Sequence, residues 1–524
     1  MASKSLVLLI SDDQEYIRHI DKDEKKFAPE MNRLYESISN VYIPLLKMFE
    51  SLEKDMIPFK IALVLSPSLC TLFCDPVVQR QYMTWLDRRI AFGKRELKNH
   101  KGDSKLVELI KFHLEKAQED KLNFTSVFGQ NILAKFFEYE KKGYVELLAT
   151  CGTNIFLPHY ADMEEILNAQ VETGLYAHCT FFGEQPTGFW LPEMGYMPGI
   201  ERVLRAYGVR YTVLDTRAFL FSNDEIEKGI FAPVECASDI VAFARDSRVD
   251  REVFGESGFA SGGAYCDVNR DIAFELPLEA LSDFFENGTA RYASGFRYWS
   301  KSEKQYDIEV AEHQCQIDAS SFVARKYAML ENAQSLLPES RIVSLVCTFS
   351  ASRFAQNWIE GIEWLEHVFR CGSMLSFSSF KNILAEKEKL QHVRPYYSST
   401  NGWGYGEALL TQKNDWMIRH VRKASERMVD LAERFPDDTG LKAHLLNVAS
   451  RELMLAQSCG WANMLWEGNF PEYAAKRFNE SIAAFTTVFE SLGSNSVNTE
   501  WLTNLEAAHP IFPWINYRIF CKKK

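Results

Sequence analysis

The sequence predicts an α/β protein that is built around a parallel barrel and followed by a helical C-terminal region. Short apolar runs alternate with long amphipathic stretches such as Glu30–Leu52 and Met163–Thr173. Alternation over roughly 350 residues is typical of parallel strands joined by crossover helices. From about Asn414 onward the strand signal disappears and helical spacing remains. We therefore assign residues 1–395 to the barrel and residues 396–524 to a C-terminal helical domain.

Six apolar runs of the first part are predicted to be buried parallel strands. These runs are Leu6–Ile10, Ile61–Leu65, Val145–Ala149, Gly188–Leu191, Tyr211–Leu214 and Ile342–Thr348. In parallel β/α barrels the chemistry lies at the C-terminal ends of the strands. The residues that follow the runs are therefore the functional candidates. They are Ser11–Asp13, Thr153–Asn154, Glu193, Asp215–Arg217 and Ser350–Ser352.

Helical regions account for most of the remaining chain. Residues 84–140 are rich in Lys and Glu and carry few strand signals, so we expect a helical insertion on the barrel rim. Three later stretches place apolar residues at helical spacing, which predicts helices that pack on the barrel. These stretches are Asp415–Phe435, Gly440–Gln457 and Pro471–Leu492.

Composition and charge exclude several functional classes. The chain has 524 residues, of which 46% are hydrophobic, and a net charge of -12. An acidic chain without a basic face is not expected to bind nucleic acid or an acidic membrane. No segment has the roughly 18 apolar residues that span a bilayer. The eleven cysteines show no Cys-x-x-Cys spacing and no accompanying His cluster. We expect a cytoplasmic protein with reduced thiols, no metal and no cofactor.

One segment carries a carboxylate between aromatic side chains. Residues 189–196 read Phe-Trp-Leu-Pro-Glu-Met-Gly-Tyr and place Glu193 between Trp190 and Tyr196. A sugar-processing enzyme would hold a nucleophile in this way, because aromatic faces can pack on a pyranose ring. Retaining glycoside chemistry also needs a second carboxyl group, the general acid, about 5–5.5 Å from the nucleophile.

Ordered motifs along nearly the whole chain indicate a family. They include Tyr42–Leu46, Phe156–Pro158, Trp190–Tyr196, Phe243–Asp246, Trp358–Gly361, Gly402–Gly404, Asn414–Trp416, Arg451–Leu453 and Ile511–Arg518. With these motifs the chain resembles glycoside hydrolase family 57, in particular its 1,4-α-glucan branching enzymes and related α-amylase-like proteins. The resemblance implies an incomplete (β/α)7-type barrel, a C-terminal domain of the branching-enzyme type, and an α-glucan such as glycogen or amylose as the ligand.

When the family's catalytic residues are matched to positions of this sequence, the nucleophile is present and most of the other polar catalytic residues are replaced. Glu193 stands at the nucleophile position, and Ser350 replaces the general-acid Asp. Other family residues are replaced as well. The family's His-x-His is Ser11-Asp12-Asp13 here, and two single His residues are Asn154 and Arg217. The family's His-Trp-Trp is Gln356-Asn357-Trp358, and an Asp of the helical domain is Gly460.

These substitutions leave two functions open. A serine hydroxyl is too weak an acid to protonate a departing glucosyl oxygen, and losing positioned acid catalysis costs about 10²–10⁴-fold in rate. The first function is a pseudoenzyme of glycogen metabolism that binds α-glucan, or regulates an unknown protein partner, with impaired catalysis. The second is an active branching or amylase-like enzyme in which Glu193 is the nucleophile and Asp12 or Asp13 is a relocated acid.

The resemblance and the aromatic content also suggest which residues contact the glucan. We expect substrate contacts from Trp190, Tyr196, Asp215, Arg217, Trp358, Trp403, Trp416 and Trp461. Tryptophan is more often a packing residue than a ligand platform, so some of these side chains are expected in the core. Whether Arg217 closes the cleft is left open by the sequence.

Overall fold

The computed structural model describes residues 3–20, 28–281, 291–337, 340, 342–494 and 498–523. Nine strands are assigned within these ranges. They are β1 Ser3–Ser11, β2 Ile61–Val64, β3 Val145–Thr150, β4 Gly188–Trp190, β5 Tyr211–Leu214, β6 Val234–Glu235, β7 Val241–Ala244, β8 Ile342–Ser350 and β9 Ser376–Phe377.

Seven of the strands form a parallel sheet that curves into an incomplete barrel. Their spatial order is β7-β5-β4-β3-β2-β1-β8, with β6 antiparallel beside β7 and β9 paired with β1. Within the described ranges, one parallel bridge between Arg245 and Val346 joins the two ends of this sheet. The predicted α/β class and incomplete barrel are confirmed. The strands β6, β7 and β9 were not among the predicted runs.

Alternation along the strands divides the apolar residues between two cores. On β1, Leu6, Leu8 and Ile10 belong to the large core under the helices, whereas Val7 and Leu9 face the barrel interior. This follows from the strand period of two, which turns successive side chains to opposite faces. The interior cluster extends from Phe380 at one end to Trp190 at the other. Trp190 lies where β4 ends and so forms part of the floor of the cleft above the barrel.

Helices surround the barrel. Those of the first part are Asn32–Ser37, Ile43–Lys54, Pro67–Cys74, Pro76–Asn99, Ser104–Leu122, Ile132–Lys141, Glu164–Phe182, Ile200–Ala206, Thr216–Leu220, Val249–Phe254, Ile272–Glu275, Ile308–Leu336, Ala351–Asn357, Gly361–Cys371 and Phe380–Ala385. Those of the last part are Asp415–Arg434, Gly440–Ala456, Gly460–Glu467, Pro471–Ser494 and Thr499–Ala508. None of the described helices combines the length and apolar character needed to cross a bilayer.

A buried cation ties the two ends of the sheet together. Lys326, on helix Ile308–Leu336, is 1% exposed and forms ion pairs with Asp246 at 2.9 Å and with Glu252. Asp246 follows β7 and donates its backbone N–H to Val346 of β8 at 2.7 Å. The ion pairs therefore lie at the junction where the barrel has little strand pairing.

The C-terminal helices form one side of the cleft. Ile155, in the loop after β3, forms an antiparallel bridge with Ser458. Nearby, the backbone N–H of Cys459 donates to the carbonyl of Asn154 at 2.8 Å. Because these contacts connect the C-terminal end of a barrel strand to helix Gly460–Glu467, side chains of that helix face the functional end of the barrel.

Candidate functional site

Glu193 stands on a strained turn directly after β4. Glu193 and Met194 have φ values of 54° and 47°, in the left-handed region that costs of order 1–3 kcal/mol per non-glycine residue. Thr400 holds this turn, because its backbone N–H and its hydroxyl both donate to the Glu193 carbonyl, at 2.7 and 2.9 Å. Strain that the surroundings maintain in this way is typical of a functional position.

The Glu193 carboxylate faces a cleft and has an amide partner. Asn463, on helix Gly460–Glu467, donates its side-chain N–H to Glu193 Oε1 at 2.8 Å. Burial raises the pKa of Glu193; the hydrogen bond from Asn463 opposes this rise, and the charge of Asp13 adds to it. Glu193 and Asp13 therefore line the same cleft within electrostatic reach of each other.

The register of β1 and β8 brings Asp13 to the predicted general-acid position. Ser11 pairs with Ser350 at the ends of these neighbouring strands. Two residues further on, Asp13 Oδ2 accepts a hydrogen bond from Ser352 Oγ at 2.7 Å and a longer one from Ser350 Oγ at 3.4 Å. A carboxylate from the loop after the first strand thus lies beside the serine at the predicted acid position.

Asp12 is a buried structural carboxyl group. It accepts hydrogen bonds from the Ser66 hydroxyl, from the Tyr42 hydroxyl at 3.3 Å and from the Gln14 backbone N–H at 3.0 Å. Burial, followed by the charge of Asp13, raises the pKa of Asp12 to about 7. Of the two candidate substitute acids, Asp13 is the one that contacts Ser350.

The carboxyl group of Glu15 occupies the space into which a side chain at position 460 would project. Its Oε1 accepts a hydrogen bond from Asn154 at 3.0 Å, and its Oε2 accepts one from the Ser458 hydroxyl. A Cβ atom on Gly460 would lie 1.9 Å from Glu15 Oε1. Burial raises the pKa of Glu15 to about 7. A carboxyl group from the β1 loop thus fills the space that the missing side chain at Gly460 leaves.

The cleft is open and mostly polar. Its volume is about 680 Å³, and four aromatic side chains contribute to its walls: Trp190, Phe254, Phe349 and Trp466. Polar and charged side chains form most of the remaining lining, namely Ser11, Asp12, Asp13, Glu15, Arg33, Asn154, Glu193, Arg245, Asp250, Thr348, Ser350, Ser352, Arg353, Gln356, Asn357, Thr400, Asn401, Asn463, Glu467 and Asn469. A neutral polyhydroxylated chain suits such a lining, since amides and carboxylates can bond hydroxyl groups and rings can pack on pyranose faces.

Family comparisons agree with this arrangement of barrel, cleft and helices. Residues 5–306 match the model of glycosyl hydrolase family 57. The chain belongs to glycoside hydrolase family 57. Residues 420–520 match the C-terminal model of 1,4-α-glucan branching enzymes. The predicted resemblance is confirmed.

Relatives and solved structures of family 57 extend the comparison. The 1,4-α-glucan branching enzyme of Thermococcus kodakarensis is 24% identical over 488 residues, which cover 85% of this chain and 68% of that enzyme. A probable branching enzyme of Mycobacterium tuberculosis is 24% identical over 353 residues, which cover 64% of this chain and 61% of that enzyme. The α-amylase AmyC of Thermotoga maritima superposes with a TM-score of 0.92, at 26% identity and with full coverage of both chains. A family 57 branching enzyme of Pyrococcus horikoshii has the same fold, with a TM-score of 0.87, 23% identity, and coverage of 99% and 97%.

Asp215 and Arg217, which were predicted to contact substrate, do not line this family 57 cleft but form ion pairs that reach it through the cleft-lining Arg245. Asp215 is fully buried and accepts hydrogen bonds from Arg217 Nη1 at 3.1 Å and from Arg245 Nε at 2.8 Å. Arg217 also donates to the Ser399 carbonyl at 3.3 Å and packs against Gly404. Because it points toward that loop, Arg217 leaves the cleft open.

Three predicted contact residues are instead placed in the interior. Tyr196, Trp358 and Trp461 are 1%, 0% and 1% exposed. The Tyr196 hydroxyl donates to Glu201, and the indole N–H of Trp461 donates to the Leu455 carbonyl at 2.8 Å. The Trp358 ring packs against Tyr265 and Trp364 at 5.2 Å between centroids. None of these three side chains lines the cleft.

The other predicted tryptophans differ in their positions. Trp190 lines the cleft. Trp416 packs edge-on against Phe478, at 5.4 Å between ring centroids, and away from the cleft. Trp403 is 84% exposed, one residue beyond the cleft-lining Gly402. Trp190 is therefore the predicted aromatic residue that is positioned to contact a ligand in the cleft.

Several site residues were missed by sequence reasoning. Glu15 follows the first predicted strand by five residues, which is the signal that could have identified it. Thr400, Asn463 and Trp466 lie far along the chain and show no local motif. Their roles depend on how the C-terminal region closes over the barrel, so the sequence offered no direct signal for them.

One group of side chains in the described part of the chain has the spacing of a metal site. It consists of Glu312, Glu363 and His367, on helices Ile308–Leu336 and Gly361–Cys371 and away from the cleft. Exposed acidic groups often cluster on helix surfaces without a metal.

Proposed function

We propose that this family 57 member binds α-glucan chains in its cleft and is impaired in glycosyl transfer. The observation that carries the proposal is the pairing of a retained carboxylate, Glu193, with a serine, Ser350, at the acid position. Glu193 faces the cleft with an amide partner. Ser350 offers a hydroxyl group that cannot protonate a leaving sugar near neutral pH.

Several features support α-glucan as the ligand. Trp190, Phe254 and Trp466 supply ring faces around a polar cleft of about 680 Å³. Two relatives are a branching enzyme and a probable branching enzyme that act on 1,4-α-glucan by name. The crystal structure of the first of these relatives, the Thermococcus enzyme, contains glucose. We infer that a glucan chain in this protein packs on Trp190, Phe254 and Trp466.

The compartment proposed for this role is the cytoplasm. All eleven cysteines are free. Reducing compartments keep thiols unpaired, whereas secreted proteins of oxidising environments often form disulfides. Binding of glycogen-type polymers, or control of a partner that acts on them, would take place there.

A second function has one specific observation in its favour. Asp13 Oδ2 accepts a hydrogen bond from Ser352 at 2.7 Å and lies beside Ser350, so it supplies a carboxyl group where the family has its acid. If its carboxyl lies about 5–5.5 Å from Glu193, a retaining double displacement is possible. The chain would then be an active transferase or hydrolase with a relocated acid.

Binding and turnover on amylose and glycogen distinguish these functions. We would compare the wild type with Glu193→Gln, Asp13→Asn and the matched cleft variant Glu467→Gln. An impaired binder retains the polysaccharide in all four proteins and shows no branch formation or cleavage in any. An active enzyme loses turnover in Glu193→Gln and Asp13→Asn and keeps it in Glu467→Gln. A wild type that does not bind either polysaccharide refutes both functions.

Moving the carboxyl group provides a second test. The double variant Asp13→Ser/Ser350→Asp exchanges the two side chains and places an aspartate at the family's acid position. If the missing acid is what limits turnover, activity rises above the wild-type level, up to about 10²–10⁴-fold. No rise despite preserved glucan binding shows that other substitutions, such as Asn154 and Gly460, limit the reaction.

A further inference from the structure

A group of exposed apolar side chains lies on the barrel surface outside the cleft. We call Leu220, Phe221, Tyr396 and Tyr397 the outer aromatic patch; they are 71%, 54%, 44% and 47% exposed. The ring of Tyr396 contacts those of Phe221 and Tyr397 edge-on, at 6.5 and 5.8 Å between centroids. Exposed apolar clusters on a soluble fold indicate interaction surfaces.

The backbone that carries the patch is anchored on both sides. The Tyr396 N–H donates to the Ala218 carbonyl at 2.8 Å, which fixes the segment to helix Thr216–Leu220. Two residues later, Ser398 forms an antiparallel bridge with Tyr196. The rings of the patch are therefore displayed from hydrogen-bonded backbone, so little conformational entropy is lost when a ligand covers them.

The same segment continues into the cleft. Thr400, four residues after Tyr396, holds the Glu193 turn and lines the cleft. Four residues of extended chain span at most about 14 Å. A polymer that occupies the cleft and extends past Thr400 thus meets the outer aromatic patch within a short distance.

We propose that the outer aromatic patch is a second α-glucan-binding site, which holds a polymer chain outside the cleft. Phenol and phenyl rings offer flat apolar faces for pyranose rings, and the tyrosine hydroxyls can bond sugar hydroxyls. The charges beside it, Arg394 and Asp224, are paired with each other at 2.8 Å, so the surface suits an uncharged ligand. This inference rests on the proposed function, because the cleft supplies the other end of the same polymer.

Two linked sites predict that affinity depends on polymer length. A chain that binds both sites gains from effective concentration, whereas a disaccharide occupies one site at a time. Removing the patch should therefore weaken binding to glycogen and amylose, and leave the binding of maltose in the cleft unchanged. If the substitutions acted only by destabilising the fold, the binding of the polymers and the binding of maltose would both weaken.

The test compares glycogen retention with maltose binding. Retention is measured by electrophoresis in gels that contain glycogen, and maltose binding by calorimetry. We expect Phe221→Ala/Tyr396→Ala/Tyr397→Ala to lower glycogen affinity at least tenfold at unchanged maltose affinity. Tyr176→Ala, which removes a 53% exposed tyrosine elsewhere, is the matched control and should change neither.

Each other outcome overturns either the second binding site or the proposed function of the cleft. Unchanged glycogen affinity in the triple variant overturns the inference, as does a shift in oligomeric mass by light scattering without a loss of glycogen binding. If the triple variant unfolds, the three single variants repeat the test, and no loss in any of them is equally negative. A wild type that is retained by glycogen through the patch but does not bind maltose overturns the proposed cleft function and leaves the second site standing.

Discussion

The Glu15 carboxyl group packs directly against Gly460, between the barrel and the C-terminal helices. The substitution Gly460→Ala, which adds one methyl group, tests this contact. A Cβ atom at position 460 would lie 1.9 Å from Glu15 Oε1, far inside contact distance. Glu15 is buried and is held by hydrogen bonds from Asn154 and Ser458. We predict that Gly460→Ala destabilises the protein by displacing the Glu15 carboxyl group.

Two opposing effects set the magnitude. Gly460 begins helix Gly460–Glu467 and does not have a positive φ, so alanine alone would stabilise that helix by about 0.5–1 kcal/mol. Against this, overpacking costs about 1–3 kcal/mol. Losing the two hydrogen bonds of Glu15 costs about 0.5–1.5 kcal/mol each. The clash exceeds the helix gain, and the free energy of unfolding should fall by about 1–5 kcal/mol.

A double-mutant cycle with Glu15→Ala isolates the clash. Denaturant midpoints and apparent melting temperatures are compared for the wild type, both single variants and the double variant. Because Glu15→Ala removes the atoms that the new methyl meets, Gly460→Ala should be much less damaging in that background, with a coupling of about 1–3 kcal/mol. Gly493→Ala is the matched control, since its Cβ meets no atom within 4 Å.

The cycle also has a clear negative result. If Gly460→Ala is as stable as the wild type, or equally destabilising with and without Glu15, then the two residues do not compete for space. The interpretation of Glu15 as the occupant of the vacated volume would be wrong. The control variant must remain at or slightly above wild-type stability for this conclusion to apply.

Three other perturbations have defined outcomes. Burial raises the pKa of Asp12 to about 7 in the folded protein, whereas an Asp in the unfolded chain has a pKa of about 4. Between these two pH values Asp12 is protonated in the folded state and ionised in the unfolded state. Stability should therefore fall as the pH rises from 4 to 7. Glu15, whose pKa burial also raises to about 7, contributes in the same range, so Asp12→Asn should reduce the slope without abolishing it in melting curves, and an unchanged slope contradicts the assignment. Lys326→Met removes the buried cation from Asp246 and Glu252 and leaves them only the exposed Arg248 and Arg325, each at 3.5 Å. The variant should cost about 3–5 kcal/mol in denaturant titrations, whereas a loss below about 1 kcal/mol refutes the reasoning. Trp403→Ala should change stability by less than about 0.5 kcal/mol because the indole is exposed, yet weaken glycogen retention if the predicted substrate contact exists.

The barrel could be predicted because its strands are continuous apolar runs. The runs at Leu6–Ile10 and Ile342–Thr348 fall within β1 and β8, which form the longest strand pair. The apolar run of β7, Val241–Ala244, is as long as β2 and β5 and was overlooked, whereas β6 and β9 have only two residues each. Such short strands are defined by their partners in space, which a local hydrophobic pattern does not record.

The candidate site was less accessible to sequence reasoning than the fold. The order of the strand ends correctly identified the region in which Asp13 and Ser350 meet, since neighbouring parallel strands end at one edge. Tryptophan gave a weak signal, because residue type alone does not separate Trp358 in the core, which follows helix Ala351–Asn357, from Trp190 on the cleft, which ends β4. What separates them is the packing of distant segments.

Contacts between the β1 loop and the C-terminal helices could not be predicted from local patterns at all. Glu15 and Gly460 are 445 positions apart in the numbering and touch only after the barrel and helices have packed. The same holds for Asn463 and Glu193. Each residue of these pairs lacks a motif in its own segment, so neither contact could be predicted from the sequence.

The nearly unpaired junction between β7 and β8 has a consequence for the cleft itself. Arg245 and Asp250 lie on one side of this junction and Ser350 and Arg353 on the other, and all four line the cleft. The junction is joined by one backbone bridge and by the Arg353–Asp250 ion pair at 3.8 Å, whereas β1 and β8 share a ladder of nine paired residues. The width of the cleft at this wall therefore depends mainly on charged side chains, while its width elsewhere is fixed by strand pairing.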